Sequence, residues 1–139
     1  MNGFYEKVKN KKINYSWSRE AIYRIFSENK DRCFCVIGIK KQLLMKYNRN
    51  VSLNTIYRHL DFFEANGLLV VVQNDDKKAF YCLKEDKPIA FIVCNKCHRV
   101  IKTNIDIELE KCSEIFKDIK YLTIHKTCEI CSKKFTGGG

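Results

Sequence analysis

The sequence predicts an α+β chain in two parts: three short helices closed by a β-hairpin, then a small α/β unit held by a metal. Three observations carry this. Apolar residues recur at helical spacing three times between Ser18 and Gly67. Two β-type runs, Leu68–Gln73 and Lys77–Leu83, flank the turn-forming Asn74-Asp75-Asp76. Two Cys-x-x-Cys hooks, Cys94–Cys97 and Cys128–Cys131, bracket residues 98–127. The expected boundaries are 1–84 for the first unit, 85–88 for a hinge around Pro88, and 89–136 for the second.

Bulk properties narrow the function classes. With 139 residues and 45% hydrophobic content, the chain can bury one sizeable core or two small ones. The formal charge of +10 is uneven: residues 1–84 hold 16 Lys and Arg against 8 Asp and Glu, residues 85–139 hold 10 against 8. A basic first half suits a polyanion, and a near-neutral second half suits a structural role. Met1–Lys12 is polar, and the longest apolar runs, Leu68–Val72 and Ile89–Cys94, have only strand length. A cytoplasmic, reducing location is therefore expected, with the eight cysteines as thiols or metal ligands. The closing Gly137-Gly138-Gly139 is read as a flexible end.

The leader, residues 1–17, carries Lys7, Lys9, Lys11 and Lys12 among aromatic residues and reads as a short helix, a basic arm or a solvated tail. From Ser18, a capping residue, Ala21, Ile22, Ile25 and Phe26 line one helical face. A second helix is expected from about Ile39 to Tyr47, with Leu43 and Leu44 inward. The third runs from the cap Ser52 to Gly67, whose missing Cβ suits a left-handed turn. Its inward stripe is Leu53, Ile56, Leu60 and Phe63; its other face begins with Asn54, Thr55 and Arg58. Hydrogen-bonding side chains at a helix N-terminus are what a recognition helix offers a major groove. The hairpin that follows makes the unit a winged helix, with Lys77 and Lys78 near the wing tip to meet phosphates. Ordinary amphipathic helices and solubilising lysines would look similar one at a time.

Beyond the hinge, strands are expected at Ile89–Val93, Arg99–Lys102 and Tyr121–His125, with a helix over Asp106–Lys117. A helix laid across a short sheet is the natural packing, and such a surface could serve a dimer. Cys94, Cys97, Cys128 and Cys131 supply four thiolates, the tetrahedral set of structural zinc, and leave no coordination position open for catalysis. Cys94-Asn-Lys-Cys97-His98 also spells a haem-attachment motif, which would leave the second hook unexplained. No His-x-Glu accompanies the hooks, as a zinc deaminase requires, and no phosphate loop or nucleophile elbow occurs. Cys33, Cys35, Cys82 and Cys112 have no paired base in the sequence and default to buried thiols. No enzyme is expected.

Taken together, Ser52-Leu53-Asn54-Thr55-Ile56-Tyr57-Arg58-His59-Leu60, Gly67-Leu68-Leu69, Tyr81 and the two cysteine hooks resemble the ferric uptake regulator family. That family carries an S-x-x-T-V-Y-R-x-L helix, a wing and two Cys-x-x-Cys pairs, and the likeness spans roughly residues 18–131. The resemblance implies a homodimeric winged-helix regulator with one structural zinc per chain, bound to AT-rich inverted repeats in double-stranded DNA. It makes Tyr57 the side chain set against a thymine methyl and Arg58 a DNA-contacting cation, with Asn54 and Thr55 beside them.

The chain departs from that pattern where a sensing metal is usually held. Histidines expected five and three residues before the first hook are Ile89 and Phe91, and a glutamate expected before the second is Thr123. A sensory histidine expected in the first unit is replaced within Asp31-Arg32-Cys33, ahead of the helix expected from about Ile39, and His98 replaces a glycine after the first hook. Apolar side chains cannot ligate a divalent metal. The expectation is a metal-independent regulator. One alternative is a relocated metal or redox sensor using Cys33, Cys35, His98 or His125; another is a zinc-stabilised protein-interaction module.

Overall fold

The structure, a computed structural model, describes residues 17–86, 89–103, 119 and 121–137. The expected basic leader, Lys87-Pro88 of the hinge, and the helix over Asp106–Lys117 with Cys112 lie outside the described residues. The elements are α1 (Trp17–Glu28), α2 (Val36–Tyr47), α3 (Leu53–Ala65), β1 (Leu69–Gln73), β2 (Ala79–Leu83), β3 (Ile89–Cys94), β4 (Val100–Thr103), β5 (Tyr121–Lys126) and α4 (Glu129–Gly137). Among the described residues no helix is long and apolar enough to cross a membrane.

The three helices converge because each carries an apolar stripe of helical period. Ile22, Ile25 and Phe26 of α1, Ile39 and Leu43 of α2, and Ile56, Leu60 and Phe63 of α3 are all fully buried. Phe34 joins them edge-to-face on Phe26, 5.6 Å between ring centres. Four details differ from the sequence reading. Ser18 lies inside α1, where its hydroxyl meets His59, and does not cap it. α2 starts at Val36, three residues before the expected start. Leu44 and Leu53 stand 50% and 40% exposed, so the inward faces of α2 and α3 are narrower than expected.

The end of α3 is a complete Schellman turn. Gly67 sits at φ 71°, its N–H bonds the Glu64 carbonyl, and Leu68 N–H bonds the Phe63 carbonyl. The chain thereby turns straight into β1, which pairs antiparallel with β2 in register Leu69↔Leu83 to Gln73↔Ala79. Opposite β1, β2 also pairs with the α1–α2 connection: Phe34 and Tyr81 exchange both backbone hydrogen bonds at 2.8 Å.

The second sheet has the order β4-β3-β5, β4 antiparallel and β5 parallel to β3. The antiparallel β4 carries the chain back to the end of β3 at which β5 begins, Ala90 facing Thr103 on one side and Leu122 on the other. The two sheets share a core. Val70, Val72 and Cys82 of the hairpin are buried in one cluster with Ile89, Phe91, Val93 and Val100 of the second sheet. Polar contacts close the same seam: the buried Lys102 ammonium bonds the Lys30 carbonyl at 2.8 Å and the Glu85 carboxylate at 2.7 Å.

Candidate nucleic-acid interface and metal centre

The exposed face of α3 is built by its cap. Ser52 is extended, at φ −66° and ψ 151°, and its hydroxyl oxygen accepts the Thr55 N–H at 3.3 Å while donating to Thr55 Oγ1 at 2.9 Å. Asn54, Tyr57 and Arg58 then project to solvent from the first turns, with Thr55 half-buried beside them. Tyr57 is 47% exposed and Leu53, one turn before it, 40% exposed, so this face offers apolar contact beside its polar groups.

The orientation of α3 rests on a residue whose role the sequence did not signal. His59 is 7% exposed, at a core-facing position one residue from Leu60. Arg19 Nε–H donates to His59 Nδ1 at 3.3 Å, and arginine only donates, so Nδ1 is bare and Nε2–H donates to Ser18 Oγ at 2.8 Å. Burial, and then the neighbouring Arg19 charge, push the imidazole pKa down to about 4. His59 is thus a neutral clamp between α3 and α1. The available signal was a polar residue at a helical spacing otherwise filled by the core.

The wing tip does two things. Lys77 and Lys78 are exposed, as a phosphate contact requires, and Lys77 takes the left-handed conformation at φ 62°. Buried Asn74 shapes the turn: its side-chain oxygen accepts from Asp76 N–H at 3.0 Å and Lys78 N–H at 2.9 Å. Its amide then donates to the His98 carbonyl at 2.9 Å, fastening the wing to the first cysteine hook. His125 stands 3.2 Å from Asp75, and His98 stands 4.0 Å from Asp76.

The two hooks meet as expected. The sulfurs of Cys94, Cys97, Cys128 and Cys131 all lie within 4.8 Å of one another, and among the described residues this is the one such group of three or more potential ligands. Cys97 Sγ and Cys128 Sγ are 3.8 Å apart, which equals the edge, about 3.8 Å, of a sulfur tetrahedron around zinc. Cys94 is wholly buried, and burial alone would raise its pKa; the amides of Cys128, Cys97 and Lys96 outweigh this and lower it to about 5. Cys131 is raised to about 12 by burial and by the neighbouring thiols, a repulsion that a divalent cation would reverse. His98 adopts φ 60°, the left-handed turn for which a glycine is ordinarily used. Cys128 immediately precedes α4 and Cys131 lies in its first turn, an element missing from the sequence reading.

The positions at which a sensing metal was expected are apolar or scattered. Ile89 is 4% exposed and Phe91 fully buried, both inside the shared cluster; Phe91 meets Tyr121 edge-on at 5.7 Å. Thr123 is exposed on β5. Cys33 and Cys35 line a cleft of about 530 Å³ between the α1–α2 connection and β4. His98 and His125 instead face the wing-turn aspartates, so the four residues of the alternative sensor do not form one ligand set.

Comparison with known proteins follows the same lines. The model of the ferric uptake regulator family matches residues 10–131. No curated protein matches the chain. Among solved structures, the Helicobacter pylori ferric uptake regulator superposes with a TM-score of 0.74 at 18% identity, covering 94% of this chain and 90% of that one. The Pseudomonas aeruginosa regulator, solved with manganese, gives 0.68 at 23% identity, covering 88% and 97%. A zinc uptake regulator complexed with zinc and DNA gives 0.56 at 16% identity, covering 97% and 94%.

Proposed function

The chain belongs to the ferric uptake regulator family, whose members are transcription regulators and not enzymes, and from that premise we propose a homodimeric, sequence-specific repressor or activator that binds AT-rich inverted repeats without a sensing metal. The observation that carries DNA recognition is the capped, solvent-facing start of α3, with Asn54, Tyr57 and Arg58 exposed. A related regulator has been solved with zinc and DNA together, which supports the same use of this fold. One zinc on Cys94, Cys97, Cys128 and Cys131 holds the second unit closed, and Lys77 and Lys78 add phosphate contacts from the wing.

Metal independence rests on the shared cluster. Where family members place sensory ligands, Ile89 and Phe91 fill the seam between the hairpin and the second sheet. Apolar packing does constantly what a bridging ion would do on demand. Burying a phenylalanine contributes about 1.5–3 kcal/mol, enough to hold the two units together without an effector.

The DNA reading is tested by titrating the zinc-loaded protein with duplex DNA over a salt series. Affinity should fall steeply with salt, and Arg58→Ala should weaken binding and lower the log–log salt slope by about one. An Arg58→Ala protein that binds as well as the parent would remove α3 from the interface. Weak binding without salt dependence would favour the protein-interaction reading.

A further inference from the structure

The pairing that seats Phe34 against Tyr81 has a second consequence. Because those two residues exchange both backbone hydrogen bonds, the next step in the same antiparallel register sets Cys33 opposite Cys82 as a non-hydrogen-bonded pair. Such pairs have the closest cross-strand approach, with Cα atoms about 4.5 Å apart, inside the range a disulfide accepts. Cys33 lies in the open cleft lined also by Arg32, Cys35 and Lys102, while Cys82 is buried behind it in the shared cluster. Cys33 is half-buried at the edge of the cleft and packs against the same cluster that buries Cys82, so the cleft reaches the pair from the Cys33 side.

We propose that Cys33 and Cys82 form a peroxide-responsive dithiol, with Cys33 as the attacking and Cys82 as the resolving thiol. The Cys33 thiolate attacks one oxygen of the hydroperoxide and the O–O bond breaks. The released oxyanion takes a proton and leaves as an alcohol, or as water from hydrogen peroxide, with Cys33 now a sulfenic acid. Cys82 sulfur then attacks the Cys33 sulfur, the S–S bond forms, and the hydroxyl leaves as water with the Cys82 proton. Two thiols lose two electrons and the peroxide gains them.

The surroundings favour this division of labour. The Cys82 thiol beside Cys33 lowers its pKa; burial opposes this, and the nearby Lys102 ammonium assists. Cys82 is driven strongly upward by the same neighbour and by burial, so Cys33 and not Cys82 is the thiolate that meets the peroxide. The bond would lock the α1–α2 connection covalently to β2, one residue from Phe34 and three residues before the start of α2. This regulatory consequence rests on the DNA-binding reading; the thiol chemistry does not.

The test is a stoichiometric hydrogen peroxide treatment of the zinc-loaded full chain, followed by disulfide mapping and zinc assay. The expected product is a Cys33–Cys82 disulfide with zinc retained, absent in Cys33→Ala and in Cys82→Ala. Cys33→Ala, at the cleft, serves as the safe variant should loss of the buried thiol impair folding. A Cys33–Cys35 disulfide, zinc release before any disulfide, or no reaction would overturn the proposal. On operator DNA, oxidation should weaken binding on the order of tenfold, reversibly with dithiothreitol and not in Cys33→Ala. Unchanged affinity in the mapped, oxidised protein would overturn the switch. A reduced protein that binds no duplex DNA would overturn the DNA reading and leave the disulfide result intact.

Discussion

At the scale of single residues, His59 connects acid stability to the seating of α3 on α1. Its folded pKa, about 4, lies below the ordinary 6.5, so between these values the folded state binds fewer protons than the unfolded one. The contribution of the neutral imidazole is complete above about pH 6.5 and is lost progressively as the pH falls to about 4. Protonation at Nδ1 would also turn the Arg19 hydrogen bond into a like-charge contact. Thermal melting should therefore drop between pH 7 and pH 5 by an amount that His59→Gln, which can still accept from Arg19 and donate to Ser18, largely removes. An equal pH dependence in parent and variant would show that His59 does not titrate with folding. Helical spacing puts His59 on the core face of α3, three residues after Ile56 and four before Phe63, but does not say what it does there. Histidine is read from sequence as surface or ligand, and only the positions of Ser18 and Arg19 on another helix make it a core clamp.

At the scale of elements, the hairpin turn carries two loads. Asn74 holds the Asp76 and Lys78 amides on one side and the His98 carbonyl on the other. Asn74→Ala leaves three buried or half-buried groups to find new partners, a cost of about 1–3 kcal/mol. It should lower the melting temperature and increase hydrogen exchange in the wing turn and the first cysteine hook together. Exchange confined to the wing would show that the two are not fastened. Most elements were legible from spacing alone, because the helical stripes at Ala21–Phe26 and Ile56–Phe63 and the β runs around Asn74 each follow one period. The exceptions have physical reasons. Leu44 and Leu53 are apolar residues at the margins of their stripes, beyond the reach of the neighbouring helix. The helix α4, of sequence EICSKKFTG, has no apolar stripe to announce it; the cysteine cage places its first turn.

At the scale of the whole molecule, the proposal of metal-independent control rests on the seam between the two units. Phe91 is wholly buried there and touches both sheets' cluster, so Phe91→Ala should cost about 3–5 kcal/mol. Its unfolding should report the wing and the second sheet losing stability together. Loss of stability in the second sheet alone would mean the cluster does not couple them. The four-cysteine cluster was legible from spacing, because few chemistries need two Cys-x-x-Cys hooks in one small unit. The shared core was not legible. Ile89, Phe91 and Val93 announce only a buried strand, and nothing in a linear reading says that Val70, Val72 and Cys82 of the wing lie on its other side.

In the proposed function the apolar seam of Ile89 and Phe91 takes the place of a sensing metal. The most direct measurement is operator affinity of zinc-loaded protein, titrated with Fe²⁺ and Mn²⁺ and with elemental analysis at each step. One zinc per chain and an affinity unchanged by added metal are predicted. A second bound metal accompanied by a gain in operator binding would contradict the account.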